Sequence, residues 1–287
     1  MENPASGARR RGSFRRSLGR VVVNFLMILF SVSCLYPVVW LCYASLNDKR
    51  DFTVNPVALP KAPNLDNYFA IFSQSDMGVW MLNTLRNTAV SLPFILLFGF
   101  IIGYLLSRFH FRGHTALYGY FLLGIVIPIH ALMIPLYVQF KKCHILNRWF
   151  TLPVAYVAFG MPIVIFLVES YVHSIPVEME EAATLDGSGF SRTLFSIILP
   201  ICRPVLVTAG IIQFFTCWNE FSFALILVSR DTLVTLPVGM TLFKGQYSTD
   251  YPGMMAAMFL SILPAIILYL AFSKQIIKGM VTGAVKG

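Results

Sequence analysis

Charge is scarce in this chain. Only 12% of its 287 residues are Asp, Glu, Lys or Arg, against about a quarter in soluble domains, while 57% are hydrophobic. So little charge cannot coat a water-facing surface, and repeated long apolar runs place the chain among integral membrane proteins. Cysteines are few and scattered: Cys34, Cys42, Cys143, Cys202 and Cys217 are odd in number and contain no CxxC pair, which excludes a disulfide framework and a zinc site. No phosphate-binding loop of the G-x-x-x-x-G-K-[ST] type is present, because Gly187-Ser188-Gly189 lacks the lysine that reaches phosphate. His110 and His114 have i,i+4 spacing, yet a glycine lies between them and no carboxylate is near, so they read as a solvated basic loop rather than a metal site. No serine sits in a nucleophile elbow. No catalytic residue, metal or cofactor is expected in this chain, and an enzyme is excluded as its first reading.

Six apolar segments are present, at about 21–43, 87–106, 116–139, 149–171, 205–227 and 254–272. Each is long enough to cross about 30 Å of hydrocarbon as a helix. The expected fold is an all-α integral membrane bundle of six transmembrane helices. Residues 1–20 form a basic N-terminal tail, 21–43 the first span, 44–86 an external loop, 87–272 the core and 273–287 a C-terminal tail. Arg9, Arg10, Arg11, Arg15, Arg16 and Arg20 precede the first span, where a basic cluster pairs with anionic lipid headgroups rather than with nucleic acid. The apolar run beyond Val21 outlasts the roughly 7–15 residues of a signal-peptide core, so it reads as an uncleaved span. With the N-terminus in the cytoplasm, that side receives the majority of the 22 Lys and Arg residues. Both termini and the stretch at 174–203 are then cytoplasmic.

Pro128 and Pro135 lie in the third span, Pro162 in the fourth and Pro264 in the sixth. Each removes a backbone donor and kinks its helix, which suits a wall around a pathway and is also ordinary in membrane helices. Glu220, within Trp218-Asn219-Glu220-Phe221, falls deep in the fifth span. A carboxylate there costs several kcal/mol unless it is paired, so it either faces a solute pathway or is pinned by hydrogen bonds to a neighbouring helix. Glu169 lies near the cytoplasmic end of its span and reaches the headgroups. His130, between two prolines, is a second pathway candidate. Together Glu220 and His130 would serve as the relay of an ion-driven secondary transporter.

The stretch at 174–203 is different from everything around it. Ser174-Ile-Pro176 starts a helix, and Glu178, Glu180 and Glu181 complement its positive end. Ala182 and Ala183 keep it slim, and Asp186-Gly187-Ser188-Gly189 stops it, with Gly187 suited to a left-handed cap. Phe190, Leu194, Ile197 and Ile198 then make one apolar face of a second helix, which Leu199-Pro200 ends. By pattern this is a rigid cytoplasmic elbow offering a slim helix to a partner. A loop lying flat on anionic lipid fits its three glutamates poorly.

Glu181-Ala182-Ala183, then Gly187, then Ile197-x-Leu199-Pro200, resembles the EAA loop of ABC-importer permeases at every fixed position and gap. Trp218-Asn219-Glu220-Phe221, Pro135-Leu136-Tyr137 and the ending around Gly283, Lys286 and Gly287 are similar to the carbohydrate-uptake branch, in particular to the smaller permease of maltose-type importers. The resemblance runs from about residue 65 to the C-terminus. It implies a permease bundle in a prokaryotic cell membrane whose coupling helix, with Glu181, Ala182, Ala183, Asp186, Gly187, Leu199 and Pro200, seats in an ATPase dimer. ATP and Mg would be bound by that ATPase and not by this chain. It further implies a second homologous permease, an external or periplasmic sugar-binding protein, and a C-terminal tail (Gly283, Lys286, Gly287) reaching the ATPase. In maltose-type systems the larger permease holds the sugar. The EAA pattern is not specific to sugars, so a permease of the same class for another solute also fits these residues.

Overall fold

The computed structural model describes residues 5–246 and 250–284, and among these no strand occurs. Four helices are long and apolar enough to cross a membrane, or six spans if each of two sharply bent helix pairs counts as one. The chain divides into two compact units, residues 1–73 with 247–260 and residues 74–246 with 261–287.

In the first unit, α1 (Ala5–Ala44) continues from the basic tail through the first span without a break. Its apolar stretch from Gly19 to Ala44 has none of its most hydropathic residues buried, so lipid or another chain must cover it. Two short helices follow, α2 (Lys49–Val54) and α3 (Asp66–Gln74). Asp48 caps α2 by accepting from the Arg50 amide at 2.8 Å. The amide of Asn67 donates to the carbonyls of Ser45 and Asn47 at 2.8 and 2.9 Å, which gives the loop after α1 a defined path.

The second unit begins with α4 (Met77–Arg108), which starts well before the predicted span at 87. Hydropathy misses this first part because its polar residues find tertiary partners. The Asn83 amide donates to the carbonyls of Thr232 and Val234, each at 2.9 Å, and the Thr84 hydroxyl accepts from the Leu236 amide at 2.8 Å. The predicted third span is not one helix. It forms α5 (His114–Val126) and α6 (Met133–Lys142), bent by 97° across a short 3-10 turn at Ile129–Leu132. The cause is Pro128, which forces the residue before it out of helical geometry; Ile127 is extended at φ −68°, ψ 124°. Pro135 falls in the first turn of α6 and breaks nothing.

Helix α7 (Thr151–His173) accommodates Pro162 without interruption. Beyond it lie α8 (Glu178–Leu185), α9 (Phe190–Ile201), α10 (Arg203–Trp218), α11 (Ser222–Leu227) and α12 (Leu236–Gln246). The last helix, α13 (Tyr251–Ala284), holds Pro264 within it and runs on past the predicted end of the sixth span at 272. The predicted fifth span at 205–227 is therefore corrected: α10 ends at Trp218, and the chain restarts as α11 after a break that contains Glu220.

The bundle's centre is the pair α4–α7. Gly99 and Gly103, one helical turn apart, bring the two backbones together; a Cβ at 99 would stand 2.5 Å from Val164 Cγ1, and one at 103 would stand 2.9 Å from the Ile165 carbonyl. Small residues four apart are how membrane helices achieve backbone contact. Ile95, Phe100, Val164, Val168 and Val172 fill the surrounding space and are fully buried.

Candidate functional site

Helix α8 is short, and both of its ends are fixed. At the C-terminus Gly187 adopts φ +79°, the left-handed conformation open to glycine at little cost. The Ser188 amide donates to the Ala183 carbonyl at 2.9 Å and the Gly187 amide to the Thr184 carbonyl at 3.0 Å. This pair of bonds is the Schellman closure, which satisfies two carbonyls that the helix would otherwise leave open. At the other end the Glu180 carboxylate turns inward. Its Oε1 accepts from Arg108 Nε at 2.6 Å and its Oε2 from the Tyr104 hydroxyl at 2.7 Å, while Arg108 Nη2 donates to the Ile175 carbonyl at 2.8 Å. The side chains of Arg108 and Glu180 are 9% and 15% exposed, so this is a largely desolvated ion pair joining α8 to the end of α4. Sequence reasoning missed it. The one signal was an arginine, Arg108, two residues past the predicted span end at 106.

The remaining faces of α8 are open. Glu178, Glu181, Ala182, Asp186 and Gly187 are exposed, Ala183 is buried, and Leu185 is 89% exposed, the highest value of any large apolar side chain among the described residues. Leu185 is the last residue of α8, two positions before the Gly187 cap. The second helix of the elbow differs from its predicted form. Within α9 the Thr193–Ile198 segment is a π-helix, in which the Leu199 amide donates to the Leu194 carbonyl. That wider turn admits Pro200, whose ring clashes with the carbonyl four residues earlier in α geometry. Leu199-Pro200 thus does not end the helix; the break comes at Cys202, where α9 and α10 bend by 73°. The altered period also divides the predicted face. Leu194 and Ile198 are buried and Ile197 is half-buried, while Phe190 is 51% exposed, its ring set against those of Tyr104 and Phe109.

The pathway candidates are not brought together. Glu220 Oε1 accepts from the Phe223 amide at 2.7 Å, and its Oε2 from the Ala224 amide at 3.0 Å and the Tyr156 hydroxyl at 3.1 Å. It satisfies the open amides at the start of α11 and ties them to α7, which accounts for a carboxylate at this depth. Trp218 is buried; its indole stacks on Phe214 at 5.6 Å and donates to the Ser261 carbonyl at 3.2 Å. Asn219, His130 and Pro135 are exposed, and His130 is not among the hydrogen-bond partners of Glu220. Glu169 accepts from the Tyr118 hydroxyl at 3.3 Å. His110 and His114 stack at 5.2 Å, and His114 Nε2 lies 2.7 Å from the Leu106 carbonyl. No group of three or more His, Cys, Asp or Glu side chains able to hold a metal occurs among the described residues. Gly283 lies in α13, and Lys286 and Gly287 fall outside the described residues.

The helical fold is shared with known proteins. The fold matches that in the crystal structure of a bacterial ABC transporter involved in the import of the acidic polysaccharide alginate, with a TM-score of 0.79 over 90% of this chain and 96% of that one at 22% identity. In sequence, the chain is 30% identical to the sulfoquinovosyl glycerol transport system permease protein of Agrobacterium fabrum, over 89% of this chain and 90% of that protein. It is likewise 30% identical to the trehalose/maltose transport system permease protein of Thermococcus litoralis, over 94% of this chain and 98% of that protein. Residues 95–281 match the family described as binding-protein-dependent transport system inner membrane component. This stretch holds the elbow, its Arg108 anchor and the spans from the C-terminal half of α4 onward. The chain belongs to the family of inner-membrane components of binding-protein-dependent transport systems.

Proposed function

We propose that this chain is one of two homologous permease subunits of an ATP-driven importer for a sugar or oligosaccharide, and that α8 is its coupling helix. A dimer of separate ATPase subunits binds ATP and Mg, and an external binding protein delivers the cargo. The sugar class is supported by the names of the relatives. The docking role is supported chiefly by Leu185, which stands exposed beside Glu181 and Ala182 on a helix locked at both ends. Such an elbow transmits motion if the ATPase grips it differently in its ATP-bound and ATP-free states. Closure of the ATPases around ATP opens the pathway outward, and hydrolysis resets it. The C-terminal residues Gly283, Lys286 and Gly287 add a second contact with the ATPase dimer.

Purification of the tagged chain in mild detergent tests this reading. The wild type should retain a Walker-motif ATPase and a second permease. Leu185→Glu should lose the ATPase about thirtyfold, the cost of a central interface residue, and still retain the second permease. A folded homo-oligomer that brings no ATPase with it would overturn the proposal in favour of an ion-driven transporter.

A further inference from the structure

A groove of about 570 Å³ runs within the second unit between α4, α10 and α13, starting at the bend between α9 and α10. Leu92 and Leu96 form one wall, Leu206, Gly210 and Phe214 the floor, and Leu268 the other wall. Among the described residues lining it, Arg203 alone is charged. The groove is dressed for hydrocarbon along its length and for an anion at one end.

No described residue forms an ion pair with Arg203. It is exposed, and it is the first residue of α10. A cation there opposes the helix's own positive end, so helix stability does not call for one. At the mouth of an apolar channel, where a membrane-spanning helix begins, a guanidinium is placed for phosphate recognition.

We propose that the groove is a binding site for an anionic phospholipid, with one acyl chain lying between α4, α10 and α13 and the phosphate held by Arg203. The small side of Gly210, whose added Cβ would already touch Leu96 at 3.4 Å, leaves the depth an acyl chain needs. Leu199 and Pro200 also line the groove, so the lipid contacts the elbow on both sides of its bend at Cys202. An occupied groove therefore favours one setting of that bend, making transport sensitive to membrane composition.

The test uses the full-length chain purified with the subunits that accompany it. The probe is phosphatidylglycerol carrying a photoreactive acyl chain, and cross-linked peptides are mapped by mass spectrometry. Labelling is expected at Leu92–Leu96 and Leu206–Phe214, competed by unlabelled phosphatidylglycerol and not by the same amount of phosphatidylcholine. Arg203→Gln should weaken phosphatidylglycerol competition about fivefold, the worth of one basic residue against anionic lipid, and Arg203→Lys should restore most of it. Gly210→Phe should abolish labelling of both segments, with melting temperature measured to show that the bundle is intact. Equal competition by both lipids would reduce the groove to ordinary lipid contact and overturn the proposal. Cross-linking of a probe placed at Leu206 to a second permease instead of lipid would overturn it too.

Discussion

Arg108→Ala is expected to lower the stability of the bundle by about 3–5 kcal/mol, because it leaves the Glu180 carboxylate buried without its cation. Glu180→Ala should cost a comparable amount by stranding the guanidinium. Replacing both with apolar residues of similar size, as in Arg108→Met with Glu180→Leu, should recover most of the loss, since a buried ion pair is worth little more than good apolar packing. Thermal melting in detergent measures this directly. ATP-driven uptake should separate the variants further. The apolar double variant restores the fold but lacks the directional bonds from Tyr104 and Arg108 that hold α8 at a fixed angle, so under the proposed function the partner ATPase should turn over with little transport. Wild-type melting in Arg108→Ala would show that the pair bears no load.

Gly103→Leu is expected to abolish accumulation of folded protein. A Cβ at this position would stand 2.9 Å from both the Ile165 carbonyl oxygen and Val168 Cβ. The carbonyl belongs to a helix backbone and cannot step aside, so α4 and α7 must separate and lose the packing around Val164 and Val168. Overpacking of this kind costs about 1–3 kcal/mol even where side chains can yield. Gly99→Leu adds a clash with Val164, and the double variant should yield no folded chain at all. Gly119→Ala is the control. Nothing lies within 4 Å of its added Cβ, so melting should hold or rise by the equivalent of about 1 kcal/mol, the helix propensity gained. Full-size folded yield from Gly103→Leu, read by gel filtration, would mean that the helices pack elsewhere.

The apolar runs, the elbow and its glycine stop were legible in the sequence because each is a local matter: hydropathy over twenty residues, a capping pattern over ten. Gly187 could be read from the residues that flank it. Glu180 could not, because its partners Tyr104 and Arg108 are more than seventy residues away, and nothing local distinguishes it from Glu178 or Glu181. The same reason hid the early start of α4, where Asn83 looks like a loop residue until Thr232 and Val234 supply its acceptors. Glu220 was read as lying inside a continuous helix because its neighbours are apolar. Only the geometry shows that its carboxylate substitutes for backbone bonds where that helix has ended. The bend at Pro128 was visible as a proline, but its size depends on how the following turn packs.

Helix α4 is a single unbroken element of 32 residues, about 48 Å from end to end at helical rise. Arg108, its last residue, holds the elbow, and Asn83 and Thr84, near its first turns, hold the 232–236 segment. Between the two attachments α4 is pressed against α7 too closely to slip along it. A helix built this way works like a pushrod: a displacement delivered at one end arrives at the other, and Pro93, which removes one backbone bond midway, is where it can flex. The timing of events at the two ends is thereby set by one continuous part rather than by a relay of successive rearrangements.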